Sequence, residues 1–283
     1  MQWTVLIVAD KAKHTTGTFG RTCFADGLQN KCDGVPVSDM WGNMIIRDKS
    51  QLLAKHAGSQ AQFDVNDEGF VVPVGTGNTW RDGVAKNLWG TNVLIDGVSY
   101  GWGLPIPRYD ENGQLWYGKI GSSNPALKFG FNNNFRYKNF RFFVQTAGQL
   151  GGNVYANSNQ TFYASGDHPV IDQFGKSDET KKSVRYYNAV SNGNNLYLAN
   201  FVESGAHLNI SELLFGYTME AKQYGFLTKA GISRAQIDFV GRNLSTITKY
   251  TGLNVMAGSP TIRFDDATYP LTRTFTGVVT LTF

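Results

Sequence analysis

The chain has 283 residues, of which 32 are Gly, 13% are aromatic and 17% are charged, with a formal net charge of +4. Against the roughly 25% charged residues of ordinary soluble domains this is a β-rich, turn-rich profile. A charge this slight and scattered gives no footprint for nucleic acid. No stretch reaches about eighteen apolar residues, which excludes a transmembrane helix. The apolar start Met1 to Val8 lacks the basic region and cleavage site of a signal peptide and is closed by Asp10 and Lys11.

In chain order, Trp3 to Lys11 predicts a first strand with Trp3, Val5, Ile7 and Ala9 on one face. A polar turn region from Thr15 to Asp33 carries Cys23 and Cys32, nine residues apart, either as a disulfide or as two free thiols. Val35 to Ile46 predicts a second strand, with Pro36 confining its start to an edge or bend. A long irregular insertion follows, from Arg47 to Pro125, with Trp80, Trp89, Trp102 and Trp116, and it is either a functional loop or a set of short hairpins.

Leu127 to Tyr137 sets Leu127, Phe129, Phe131, Phe135 and Tyr137 against Lys128, Asn132, Asn134 and Arg136. After Lys138-Asn139 the chain returns through Phe140, Phe142 and Val144 opposed to Arg141 and Gln145. This hairpin has one aromatic face, whereas a soluble core would favour Val, Ile and Leu inside. A second polar loop runs from Gly151 to Ala206. In the strand from Leu208 to Tyr217 the pattern slips between Ile210 and Leu213, which predicts a β-bulge near Glu212. Ala221 to Gly231 predicts a short helical turn ended by Gly231. A strand with Ala235, Ile237, Phe239 and Gly241 on one face and a loop from Thr248 to Pro270 lead to the last strand, where Phe275, Gly277, Val279, Leu281 and Phe283 alternate with threonines.

The count is about seven strands, with short connections near Lys138-Asn139 and Ala221 to Gly231 and long ones elsewhere. Ten-residue strands of this alternation, with short turns at one end and long loops at the other, predict an all-β fold: a segment of an antiparallel transmembrane β-barrel with long extracellular loops. The first, third, fifth and seventh strands then run inward, and Phe283 ends on the periplasmic side. The rival reading is a soluble secreted β-sandwich that binds glycans through its loop aromatics.

Motifs in this order resemble a known family. Asn124-Pro125-Ala126-Leu127-Lys128-Phe129-Gly130-Phe131-Asn132-Asn133-Asn134-Phe135-Arg136-Tyr137-Lys138-Asn139-Phe140 resembles the barrel hairpin of SusC/RagA-type TonB-linked outer-membrane transporters. Leu213 to Thr218, Gly241 to Leu244 with Thr248 to Gly252, and Tyr269 to Phe275 are similar to later strands of that family. Gly34 to Gly42 looks like an earlier segment, with Asn43 where the family often has Tyr. The resemblance implies that residues 1–283 are the C-terminal portion of a TonB-dependent transporter in the outer membrane of a Bacteroidetes-like bacterium, without signal peptide, TonB box or plug domain. About seven strands cannot close a barrel of about twenty-two, so further strands are expected.

The implied partners are a SusD-like surface lipoprotein, the TonB complex through an N-terminal region, the outer-membrane assembly machinery and the remaining barrel strands. The machinery would read the terminal strand at Phe275, Leu281 and Phe283. The implied substrate is an oligosaccharide or peptide, and no enzyme activity or cofactor is expected. Trp80, Trp89, Tyr100, Trp102, Tyr109 and Trp116 are candidate substrate-binding rings; the weightier alternative has them pack the loop against itself or a lid protein. Asp64 to Gly69 faintly resembles an acidic Ca²⁺ loop, but Gly75 stands where the bidentate Glu belongs, so an exposed acidic turn is expected and no metal. His14, His56, His168 and His207 lie in separate polar surroundings with no catalytic pairing. The runs Lys11-Ala12-Lys13 and Lys181-Lys182 read as solvated loop charges.

Overall fold

The computed structural model describes every residue except 13–14, 19, 21–22, 193–195 and 260, so His14 and Lys13 lie outside the described residues. Six strands form one antiparallel sheet in which each pairs with the next. They are β1 (Gln2–Asp10), β2 (Leu127–Tyr137), β3 (Phe140–Leu150), β4 (His207–Glu220), β5 (Arg234–Thr248) and β6 (Thr274–Thr282). Long segments between β1 and β2, β3 and β4, and β5 and β6 emerge at one end of this wall. The other end carries the Lys138-Asn139 turn and the turn holding the short helix Gly225–Lys229, after which Gly231 takes a φ of 72°.

Among the described residues the expected seventh strand is absent from the wall. Within Val35 to Ile46, Asp39–Gly42 pairs instead with Gly118–Ser122, and Met40, Ile45 and Ile46 are buried. An apolar run enclosed on every side resembles a wall strand in sequence, and only its partner tells them apart. With β1 pairing β2 directly, β1 runs toward the long-loop end, opposite to expectation, while Phe283 still follows a strand that runs to the short-turn end. The sheet is open at β1 and β6.

Opposed residues of neighbouring strands share a face. One row across the six strands is Trp3, Phe135, Phe142, Phe215, Phe239 and Gly277. The row beside it on the other face is Gln2, Arg136, Arg141, Gly216, Asp238 and Val278. The register places every Asp, Glu, Lys and Arg of the six strands on this second face. There Arg141 pairs with Asp238 at 2.9 Å and Arg242 with Glu212 at 2.8 Å.

The phase is kept by stacked bulges. Between β3 and β4 the register passes from Gln145↔Glu212 to Thr146↔Ile210, leaving Ser211 as the extra residue that the pattern slip foretold. Between β4 and β5 it passes from Glu212↔Arg242 to Ile210↔Ser245, and Asn243 takes a φ of 51° there.

The three long segments fold together as a layer at one end of the wall. Short hairpins at Phe24–Asp26/Gln29–Lys31, Phe63–Val65/Val71–Pro73 and Asn92–Ile95/Val98–Gly101 belong to the first. The second supplies two helices, α1 (Asn157–Ser165) and α2 (Val184–Ser191). Their shared core runs from Phe70, Val72, Trp80 and Trp102 of the first segment to Tyr155, Tyr186, Tyr187 and Phe201 of the second. Cys23 and Cys32 are joined in a disulfide.

Gly216 lets the Arg141–Asp238 pair lie across β4, because a Cβ there would overlap the Asp238 carboxylate. Gly216→Ala is expected to cost about 1–3 kcal/mol as an overpacked position. The check is the midpoint of thermal unfolding followed by circular dichroism; an unchanged midpoint would deny the pair that role.

Candidate functional site

The wall's apolar face is the first candidate surface. Trp3, Ile7, Phe239, Phe275 and Val279 are each more than half exposed. Rings of this size are normally buried, and so large a contiguous apolar surface marks contact with membrane or protein. Trp3 Nε1 donates to Asn133 Oδ1 at 3.0 Å, which satisfies the amide oxygen that β2 turns to this face. Phe275, Leu281 and Phe283 are exposed on or just beyond β6, with Phe275 and Leu281 directly opposite Gly241 and Ala235 of β5.

The loop aromatics divide. Trp102 is 1% exposed and donates from Nε1 to the Val74 carbonyl at 3.0 Å; Trp89 packs edge-on against it with centroids 5.0 Å apart. Trp80 is buried, and Trp116 lies under the Arg108 guanidinium at 4.8 Å. These four tryptophans pack the loop layer. Tyr100 and Tyr109 alone of the six line a cavity of 460 Å³, with Leu104, Ile106 and Pro107.

His56 is paired, contrary to the expectation of isolated histidines. Its Nδ1 lies 2.8 Å from Asp96 Oδ2 and its Nε2 2.8 Å from the Tyr100 hydroxyl. Ser59 also donates to Asp96, and the bonds from His56 and Ser59 hold the Asp96 carboxyl below its ordinary range. With both nitrogens engaged and the ring enclosed beside Phe63, His56 is a satisfied core residue.

Two buried charges tie the segments together. Lys182 is no solvated loop charge: its side chain is 4% exposed and bonds Asp67 at 2.5 Å and Glu68 at 2.9 Å. Burial opposes its positive charge, but the bonds from the two carboxylates outweigh burial and raise its pKa. Within the resembled Ca²⁺ loop, Asp64 accepts from Trp80 N and Asn66 bridges Tyr186 with the Glu68 and Phe70 amides. That loop is therefore occupied by the protein itself, and no cluster of three His, Cys, Asp or Glu suited to a metal occurs among the described residues. The second node is Asp265, wholly buried, which accepts from Tyr250 Oη at 2.8 Å, Leu253 N at 2.9 Å, Asn254 N at 3.0 Å and Ser158 Oγ at 3.2 Å.

A cavity of 860 Å³ opens where the second and third segments meet. Phe162, Tyr163, Pro169, Val170, Phe201 and Leu253 give it apolar surface, with Asp167, Glu203, His168, Asn159, Asn200 and Thr251 as its polar groups. Glu203 accepts from Asn159 Nδ2 and from Thr251 N and Oγ1 at 3.2, 2.7 and 2.7 Å. Sequence reasoning missed this site, since its residues fall in an unpatterned polar loop.

No family model matches the chain. The chain is 26% identical over 205 residues to TonB-dependent receptor P3 of Formosa agariphila, across 65% of this chain and 19% of that protein. Its fold covers 99% of the chain on the RagAB peptide transporter, with TM-score 0.57 and 14% identity, and on the RagAB peptide importer in its closed-closed state, with TM-score 0.56 and 15% identity. The chain is similar to part of a SusC/RagA-type TonB-dependent receptor. It spans 19% of the curated relative's length and 27% of each RagAB chain, and at these structural identities the likeness is one of fold.

Two outcomes follow from the loop layer. Lys182→Met leaves Asp67 and Glu68 partly buried without their cation and is expected to cost about 2 kcal/mol, below a fully buried pair because both acids reach solvent; tryptophan-fluorescence melting checks it. Burial lowers the His168 pKa, so the unfolded chain binds the extra proton more readily. The fold therefore keeps its full stability above about pH 6.5 and loses some as pH falls below that value. His168→Gln should flatten this part of the melting-temperature profile between about pH 7.5 and 5; an unchanged slope would assign it to another group.

Proposed function

We propose that the chain forms wall strands and outer loops of an outer-membrane, TonB-dependent importer of oligosaccharides or peptides that works with a SusD-like lipoprotein. The observation that carries this reading is the register, which gathers every charge of the six strands on one face and leaves the other apolar and ring-rich. In hydrocarbon such a face is in its preferred solvent, while the polar face lines a lumen. The loop layer then lies outside the cell and the short turns in the periplasm. Residues 1–283 would be the C-terminal portion of the receptor, with the plug and TonB contact elsewhere in it, and Phe275, Leu281 and Phe283 would be read during assembly. Tyr100 and Tyr109 remain the candidate substrate contacts among the rings named from sequence. The names of the similar proteins, a TonB-dependent receptor and a peptide transporter, support import.

A soluble sandwich would cover the apolar face with a second large sheet. The other sheets among the described residues are two-stranded, which favours the membrane reading.

Two neighbours on opposite faces supply the test. Phe131→Arg places a cation in the apolar band and should cost about 2–4 kcal/mol near mid-depth, removing the heat-modifiable band from outer-membrane fractions, whereas Asn132→Arg on the polar face should assemble. Equal assembly of both, or recovery of the protein in the soluble fraction, would sink the reading.

A further inference from the structure

The 860 Å³ cavity between the second and third segments has an unusual charge balance. Among the described residues its lining includes the carboxylates of Asp167 and Glu203 and no Lys or Arg, although the chain as a whole is net positive. Glu203 is fixed by Asn159 and Thr251, donors that carry no positive charge, and no cation pairs with it among the described residues. Asp167 stands exposed at the rim. Burial disfavours the charged form of His168, the one lining side chain that could become cationic near neutral pH. The apolar part of the lining is Phe162, Tyr163, Pro169, Val170, Phe201 and Leu253, and Asn159, Asn200 and Thr251 add neutral polar groups.

A ligand carboxylate, sulfate or phosphate entering here would meet two like charges and no Lys or Arg in the described lining, the neighbouring Lys176 being engaged with the Val170 carbonyl at 2.8 Å. A neutral sugar could use the rings and amides but would leave both carboxylates uncompensated. A cation is drawn to the carboxylates and to ring faces, and an apolar neighbour fills the remaining surface. We propose that this cavity selects an apolar group with an adjoining positive charge, as presented by a basic side chain beside an apolar one in a peptide. This deepens the import reading and rests on it for the route by which the ligand arrives.

The test is calorimetric titration of the whole outer-membrane protein in non-ionic detergent with three probes: a peptide of alternating Lys and Phe, the same peptide with Glu for Lys, and maltohexaose. The Lys-Phe peptide should bind, and bind more weakly as salt rises. Asp167→Asn should weaken it about two- to fivefold, as befits a partly exposed ion pair. Leu253→Arg, which sets a cation at a rim position that is 45% exposed, should abolish binding. Both variants should keep the heat-modifiable band of the parent. Equal binding of the Glu peptide, no binding of the Lys-Phe peptide, or Lys-Phe binding that neither variant alters would overturn the proposal. Loss of heat-modifiability in the parent protein would count against the membrane reading instead, and the three titrations would still decide the cavity.

Discussion

Hydrocarbon offers a peptide N–H or a charged side chain nothing to bond to, so a strand wall in a bilayer must pair its backbone and send every charge one way. The six strands here meet the second demand through register alone. A slip of one residue would exchange the row Trp3–Phe135–Phe142–Phe215–Phe239 for the row holding Arg136, Arg141 and Asp238. The sequence of β4 is out of phase with itself, since Leu208 and Ile210 fall on even numbers and Leu213, Phe215 and Tyr217 on odd. Ser211 absorbs the difference, and the extra residue at Asn243 and Leu244 in β5 passes the correction on. These bulges let one apolar face continue from the short-turn end to the loop layer.

The loop layer answers a different constraint. Three segments far apart in sequence emerge at the same end and must bury polar backbone together. Asp265 gathers donors from both the second and third segments, and Lys182 draws Asp67 and Glu68 of the first to the second. Arg263 joins this layer to the wall by donating to Gln149 Oε1 at 2.9 Å near the end of β3, where Gln149 in turn donates to the Gly205 carbonyl. Buried charges of this kind contribute little net stability against an apolar replacement. They do require one specific partner each, and that fixes which segments meet.

The wall was largely legible in the sequence because a period of two held over a whole strand length suits a half-buried strand and clashes with the 3.6-residue period of a helix. The slip at Ile210 to Leu213 carried its own remedy. Val35 to Ile46 misled because a run enclosed by loop packing and a wall strand are equally apolar. Asn92 to Gly101 carries a readable hairpin signal inside the long insertion: Asp96-Gly97 between Ile95 and Val98 is a favoured two-residue turn, and both residues take positive φ, 50° and 79°. Lys182 and His56 could not be placed from sequence, since their partners lie 114 and 40 residues away. The tryptophans carried an ambiguity that composition cannot resolve. A ring suited to stacking on a ligand is equally suited to stacking on Trp102, and the loop layer needed the rings for its own core.

The location of uncompensated charge separates what holds the molecule together from what faces a ligand. On the wall's polar face Arg141 meets Asp238 and Arg242 meets Glu212, and in the loops Lys182 meets two acids; in each case a cation and an anion are in contact. Asp265 has no cation partner among the described residues but is enclosed by five donors, from Ser158, Tyr250, Leu253, Asn254 and Thr268, so its charge is held by local dipoles. Glu203 is held by donors too, yet it borders open volume shared with Asp167, and there the field of two carboxylates extends into space a ligand can enter. A charge that the fold has already answered adds nothing to recognition. One that the fold fixes in place without answering keeps its attraction for whatever fits the cavity beside it.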